Sequence, residues 1–233
     1  MTRQGESGDQ RYTAPGYERV EPRATYAPWQ GDERFHEVNV ITREQTLVDL
    51  YRSYELWQLA AEASKVPGDI LEVGVWRGGT GALIAARIAE LAPDTTVYLA
   101  DTFRGVVKAG PKDQYYRGGE HANASPEDVQ RLVDRLGLQN VRVLRGVFPD
   151  DTAHEITSAQ ISMCHIDVDV YQGAKEVTEW VWPRLPVGGI VVYDDYGFYG
   201  CEGVTAYVDE VAHLADRVRV HNLNGHAVFV KTV

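Results

Sequence analysis

The chain has 233 residues, is 44% hydrophobic and carries a formal net charge of −11. That length suits one sizeable domain with a large core and leaves little for a second. The acidic balance argues against a partner presenting a phosphate backbone or an anionic lipid surface, since both call for a basic face.

Residues 1–35 are assigned to a flexible arm, and 36–233 to the domain proper. The first 30 or so mix Pro, Gly and charges without a period, as in a segment that stays loose, orders on a partner or covers a site. The N-terminus lacks the apolar stretch of a signal peptide, and no apolar run is long enough to span a bilayer. Two cysteines are too few for a disulfide framework, so a cytoplasmic protein is expected.

The run 43–64 carries Leu47, Leu50, Tyr51, Tyr54, Trp57 and Leu59 near helical spacing and reads as one amphipathic helix. Strands and helices then alternate. Strands are expected at 70–73, 96–101, 141–145, 161–167 and 188–194, and helices near 79–91, 126–136, 151–158, 171–182 and 202–214. Two closing strands, 217–221 and 226–231, flank the turn NLNG and make an antiparallel hairpin. The pattern describes an α/β fold, a mostly parallel sheet with helices on both faces. Residues 104–125 form a long connection without apolar periodicity, either a functional loop or a solvated insertion.

The run ILEVGVWRGGTG, 70–81, reads as a buried strand, a glycine turn and a helix start. Gly74, Gly78 and Gly79 allow sharp bending and close approach to a ligand. One strand–helix unit later TVYLAD ends in Asp101, placed to accept hydrogen bonds from ribose hydroxyls. This is the layout of a nucleoside site, although the spacing is neither the dinucleotide fingerprint nor a phosphate loop. Trp76 and Arg77 sit in the turn and are candidates to line the site.

The strand ISMCHIDVDV ends in Asp167 and Asp169, two apart and therefore on one face of a strand. The next, GGIVVYDD, ends in Asp194 and Asp195, where a regular strand must break. Four carboxylates together need a counter-charge. Hard oxygen donors without a His/Cys cluster suit Mg²⁺, Mn²⁺ or Ca²⁺. The same acids also stand where they would cap the following helices. His165 reads as a hydrogen-bonded strand residue rather than a catalytic one, and His221 and His226 as structural residues flanking the hairpin turn.

With both elements in place, the chain resembles the macrocin O-methyltransferase-like family over roughly 38–231, through GDILEVGVWRGGTG, DTFRG, HIDVDVY and PVGGIVVYDDYG. The resemblance implies a class I methyltransferase (Rossmann-like) fold, a seven-stranded sheet preceded by a helical extension. It also implies S-adenosylmethionine- and Mg²⁺-dependent methylation of a deoxysugar hydroxyl on a glycosylated natural product. On it, Glu72, Gly74, Val75, Trp76, Arg77, Gly78, Gly79 and Thr80 would hold the methionine side of the cofactor. Asp101, Thr102 and Phe103 would hold the ribose. Gly146 and Phe148 would lie by the adenine, with Asp167 also beside the cofactor. Asp167, Asp194 and Asp195 would ligate the metal, and Asp169 would be the general base. Related catechol-type enzymes end the last motif in Asp-Asn and carry a lysine after the first acid. Here Asp-Asp, and Val170 and Tyr171 after Asp169, favour a sugar-type site. A phenolic acceptor, a nucleotide-dependent oxidoreductase and a non-catalytic nucleoside-binding scaffold are the competing readings. A small-molecule substrate and a homo-oligomer are expected.

Overall fold

The computed structural model describes residues 9–21 and 23–233. The first eight residues of the expected arm lie outside the described residues. The rest of the arm is partly helical: α1 spans Gln10–Thr13, and α2, Glu33–Thr42, begins inside the arm's expected boundary. Asp32 caps α2, its carboxylate accepting from the Phe35 N–H at 2.9 Å and the Trp57 indole N–H at 3.0 Å. Phe35 and Trp57 are both buried, which ties this helix into the core.

The single helix expected over 43–64 is two elements. A 3₁₀ turn, Arg43–Gln45, ends the first segment, and α3, Leu50–Ala63, restarts behind Asp49. Asp49 caps the Tyr51 and Arg52 N–H groups at 2.9 and 3.2 Å, so the helix starts there rather than at 43. Leu47 consequently lies in the connection, and Leu47, Leu50 and Tyr51 face solvent while Tyr54 and Trp57 turn inward.

The remaining helices are α4 (Gly79–Leu91), α5 (Pro126–Arg135), α6 (Tyr171–Val181) and α7 (Glu202–Val211). The helix expected at 151–158 is only a 3₁₀ turn, Ala153–Glu155. There the Asp151 carboxylate accepts from the Val147 N–H at 2.8 Å and closes a turn instead.

The strands are β1 (Asp69–Val73), β2 (Val97–Asp101), β3 (Val141–Arg145), β4 (Ile161–Ile166), β5 (Ile190–Tyr193), β6 (Arg217–His221) and β7 (Ala227–Lys231). They form one sheet in the order β3-β2-β1-β4-β5-β7-β6. β1 to β5 pair in parallel, and β7 runs antiparallel between β5 and β6, as the expected hairpin requires. The seven-stranded α/β sheet read from the sequence is therefore present. Alternation splits its side chains between two cores. Ile70, Leu99, Met163 and Val192 pack under α2–α5, while Leu71, Tyr98, Cys164 and Tyr193 pack under α6 and α7. The chain runs outward from β1 in one direction and from β4 in the other. Their carboxyl ends thus open the crevice in which such sheets bind ligands.

The 104–125 connection is wired to itself. Val106 and Gly119–Glu120 exchange backbone hydrogen bonds of 2.8 Å. Buried Asp113 accepts from the Tyr171 N–H at 2.9 Å and the Gly110 N–H at 2.7 Å. It caps α6, which has no side-chain cap of its own. Asp113→Ala is expected to lower unfolding stability by about 1–2 kcal/mol, the usual cost of a lost cap; denaturant titration checks it, and an unchanged midpoint would remove the capping role.

Among the described residues, no helix is long and apolar enough to cross a membrane.

Candidate active site

A cleft of about 310 Å³ opens at the carboxyl ends of β1, β2 and β4, within the size range of small-molecule sites. Gly74, Val75, Trp76 and Thr80 form one part of its wall, and Asp101 and Thr102 another. Gly146 and Phe148 close a third side, and Asp167, Asp169, Asp194 and Asp195 the far end.

Gly74 is required by position. Its φ is +91°, and a Cβ there would stand 1.6 Å from the Asp167 carbonyl oxygen. The turn after β1 can lie against the end of β4 only without a side chain. Asp101 ends β2 with its oxygens fixed by the Trp76 N–H at 2.8 Å and the Phe103 N–H at 2.6 Å. Burial raises its pKa, and those backbone hydrogen bonds only partly offset the rise. Carboxylate oxygens have two lone-pair directions each, so acceptor capacity remains for two hydroxyls of a ligand.

Five expected cofactor residues do not reach the wall. Glu72 is fully buried and bonded to His165 Nδ1 at 2.8 Å. Its side chain alternates onto the α3/α4 face rather than into the cleft. Arg77 folds back over the Trp76 ring, 4.5 Å from its centroid. Gly78 caps α4 against Val129, and Gly79 lies on the Gln45 backbone, so both serve helix packing. Phe103 joins the core.

The acids converge, by a different route from strand alternation. β4 ends at Ile166, before Asp167, and Asp169 has a left-handed backbone with φ +64°. Its N–H donates to Asp195 Oδ2 at 2.9 Å, a turn that brings the two strand ends together. β5 stops at Tyr193, so the Asp194–Asp195 break is where the sequence put it. Trp76, Lys108 and His121 also have positive φ and also line the cleft, and such strain tends to gather at functional sites.

One oxygen from each of Asp167, Asp194 and Asp195 lies within 4.8 Å of the others. Burial and the neighbouring carboxylates push the Asp167 and Asp195 pKa values well up. Burial also raises Asp169, against a lowering by the Tyr116 hydroxyl. Crowded all-oxygen donors of this kind fit a hard divalent cation, which would relieve the repulsion.

Asp194 differs from its neighbours. Burial alone would raise its pKa, but His165, His226 and the Arg52 guanidinium hold it well below the carboxylate range. Arg52 of α3 pairs with Asp194 Oδ2, and His226 Nε2 lies 2.8 Å from Oδ1. His226 is therefore no bystander of the hairpin turn: it is fully buried against a site acid. Burial would lower the His165 pKa, but Asp194 and Glu72 raise it to about 9.

Sequence reasoning also missed Arg52, Glu55, Tyr116 and Cys201. Cys201 Sγ lies 3.6 Å from Asp195 Oδ1 and 3.9 Å from Asp169 Oδ1. Tyr116 packs on Val170 and Cys201 beside Asp169. A signal existed for the first two: Arg52 and Glu55 are three apart on a helix and share a face with inward-turned residues.

Residues 25–231 match the macrocin-O-methyltransferase (TylF) family. A mycinamicin III 3''-O-methyltransferase of Micromonospora griseorubida is 34% identical over 185 residues, 72% of this chain and 72% of that protein. An 8-demethyl-8-(2,3-dimethoxy-alpha-L-rhamnosyl)-tetracenomycin-C 4'-O-methyltransferase of Streptomyces olivaceus is 35% identical over 150 residues, 60% of this chain. That match spans 57% of the Streptomyces protein's length. The structure of the O-methyltransferase NovP superposes with a TM-score of 0.70 at 28% identity, over 81% of this chain and 83% of that one.

Proposed function

The chain belongs to the macrocin-O-methyltransferase (TylF) family, and on that premise we propose that it transfers a methyl group from S-adenosylmethionine to a deoxysugar hydroxyl of a glycosylated natural product. The observation that carries this reading is a single cleft with a ribose-type acid, Asp101, in one wall and a cluster of four acids at its far end. The names of the relatives, which include a rhamnosyl-tetracenomycin and a mycinamicin enzyme, support a glycosylated acceptor.

In this reading Gly74, Val75, Trp76 and Thr80 hold the methionine side of the donor. Asp101 and Thr102 take the ribose, and Gly146 and Phe148 flank the adenine. Methyl transfer is an in-line displacement on the sulfonium carbon, so alignment of the acceptor oxygen dominates. Asp169 accepts the proton of that hydroxyl. The Cys201 thiol lies 3.9 Å from its carboxylate, and its backbone N–H is held by Asp195. Asp167, Asp194 and Asp195 hold a divalent cation, Mg²⁺ by the chemistry of the donor set, which when bound orients adjacent hydroxyls and lowers their pKa. Leu47, Val48 and Phe198 line the same cleft and would flank the acceptor.

A cytoplasmic small-molecule enzyme that self-associates completes the reading. Edge strand β6, with Val218 and Val220 turned outward, supports self-association, and two free, buried cysteines support a reducing compartment.

Calorimetric titration with S-adenosylhomocysteine tests the donor half. Wild type binds, and Asp101→Asn weakens binding about 10- to 100-fold, the worth of a charged hydrogen bond of about 1.5–3 kcal/mol. Absence of binding by the wild type would overturn the reading.

A further inference from the structure

The sheet face under α3 and α4 carries a second convergence of ligand atoms, which meets the cleft only at Asp194. Glu72 and His165 are register neighbours on β1 and β4. Both alternate onto the face of Ile70 and Met163, and His226, two residues before Val228, joins them there. Glu72, His165 and His226 have no exposed surface.

Each imidazole is held at Nδ1 by a glutamate. His165 Nδ1 is 2.8 Å from Glu72 Oε1, and His226 Nδ1 is 2.6 Å from Glu55 Oε2. Both Nε2 atoms are thereby aimed at one oxygen, Asp194 Oδ1, at 3.5 Å from His165 and 2.8 Å from His226. His165 Nε2 is fully buried and has no hydrogen-bond partner among the described residues.

We propose that His165, His226 and Asp194 form a buried site for one borderline transition ion of the Zn²⁺ class. Carboxylate-held imidazoles are the arrangement that fixes the tautomer and ring orientation of a metal-binding histidine and makes its free nitrogen a better donor. Two imidazoles and one carboxylate suit such an ion, whereas Mg²⁺ prefers oxygen alone. Ligand atoms around a tetrahedral ion at about 2.0–2.1 Å stand roughly 3.3 Å apart. The observed 2.8 and 3.5 Å bracket that spacing, and all three donor atoms lie within 4.8 Å of one another.

A direct hydrogen bond between His226 Nε2 and Asp194 Oδ1, with no ion between them, is the alternative to be separated. Asp194 is common to this site and to the acidic set.

Co²⁺ is the probe, added to the full chain stripped of metal, with Mg²⁺ in large excess to fill the oxygen site. The expected result is one Co²⁺ per chain, with the visible absorption of a nitrogen-ligated tetrahedral ion. Glu55→Gln, at a partly exposed position, should weaken Co²⁺ binding about 10- to 100-fold by loosening His226. His226→Asn should remove the absorption, and Asp167→Asn should keep it. Complete displacement of Co²⁺ by Mg²⁺ overturns the site, as does no binding at all. So does an affinity unchanged in Glu55→Gln but lost in Asp167→Asn. None of these readouts depends on a methyl donor or acceptor.

Discussion

Asp169→Asn is expected to lower the methyl-transfer rate about 100- to 10,000-fold, the range for losing a positioned general base. An amide has nearly the shape of the carboxylate, so the turn should survive: its stability rests on the backbone N–H of Asp169 reaching Asp195 Oδ2. Burial raises the Asp169 pKa, which brings the carboxylate closer to the operating pH and makes it a better base. The loss should fall on kcat, with S-adenosylhomocysteine affinity unchanged, because Asp101 and the glycine turn lie elsewhere in the cleft. Steady-state kinetics with the acceptor and calorimetry with the product nucleoside separate the two. Near-normal kcat in the variant would remove Asp169 from the chemistry.

Arg52→Met is expected to cost about 3–5 kcal/mol of stability, the effect of breaking a buried ion pair from one side. The guanidinium bridges Asp49, at 2.7 Å, and Asp194, and both its own side chain and that of Asp194 are less than a tenth exposed. Methionine fills much of the space but leaves Asp194 facing two imidazoles and three other acids. The pH dependence has a definite sign. The Asp194 pKa is depressed on folding, so its contribution is complete above the ordinary carboxylate pKa of about 3.9 and is lost as pH falls through the lower folded value. Removing Arg52 raises that folded pKa. The deficit of the variant should therefore be largest near neutrality and shrink on acidification, as Asp194 takes up a proton. Denaturant unfolding at several pH values measures it. A deficit independent of pH would mean that Arg52 acts through packing, including its stacking over Phe198.

Much of the site was legible in sequence, element by element. The buried run ILEV and its glycine turn announce β1 and the start of α4 because the periodicity changes there from strand to helix. Asp101, Asp167, Asp194 and Asp195 stand at or just beyond strand ends, and a parallel sheet brings its strand ends to one edge. Where the reading failed, a local contact overrode the period. Asp49 restarts a helix that the apolar pattern runs straight through, and Asp151 closes a turn in place of a helix. Glu72 is a different case: the strand period itself buries its side chain beside His165, outside the cleft lining.

The sequence by itself determined the layered α/β architecture, the glycine turn and the row of strand-end acids. Each of these follows from side-chain periodicity and backbone freedom within a few residues. Only the tertiary structure decided what surrounds those acids. Arg52 and Glu55 reach the site because α3 folds over the sheet, and His226 because β7 inserts beside β5. Arg52 and Asp194 are 142 residues apart, and Glu55 and His226 are 171 apart. Periodicity tells which face of an element is buried. Which distant charge it meets there depends on how the elements pack, and that choice is made by the whole core at once.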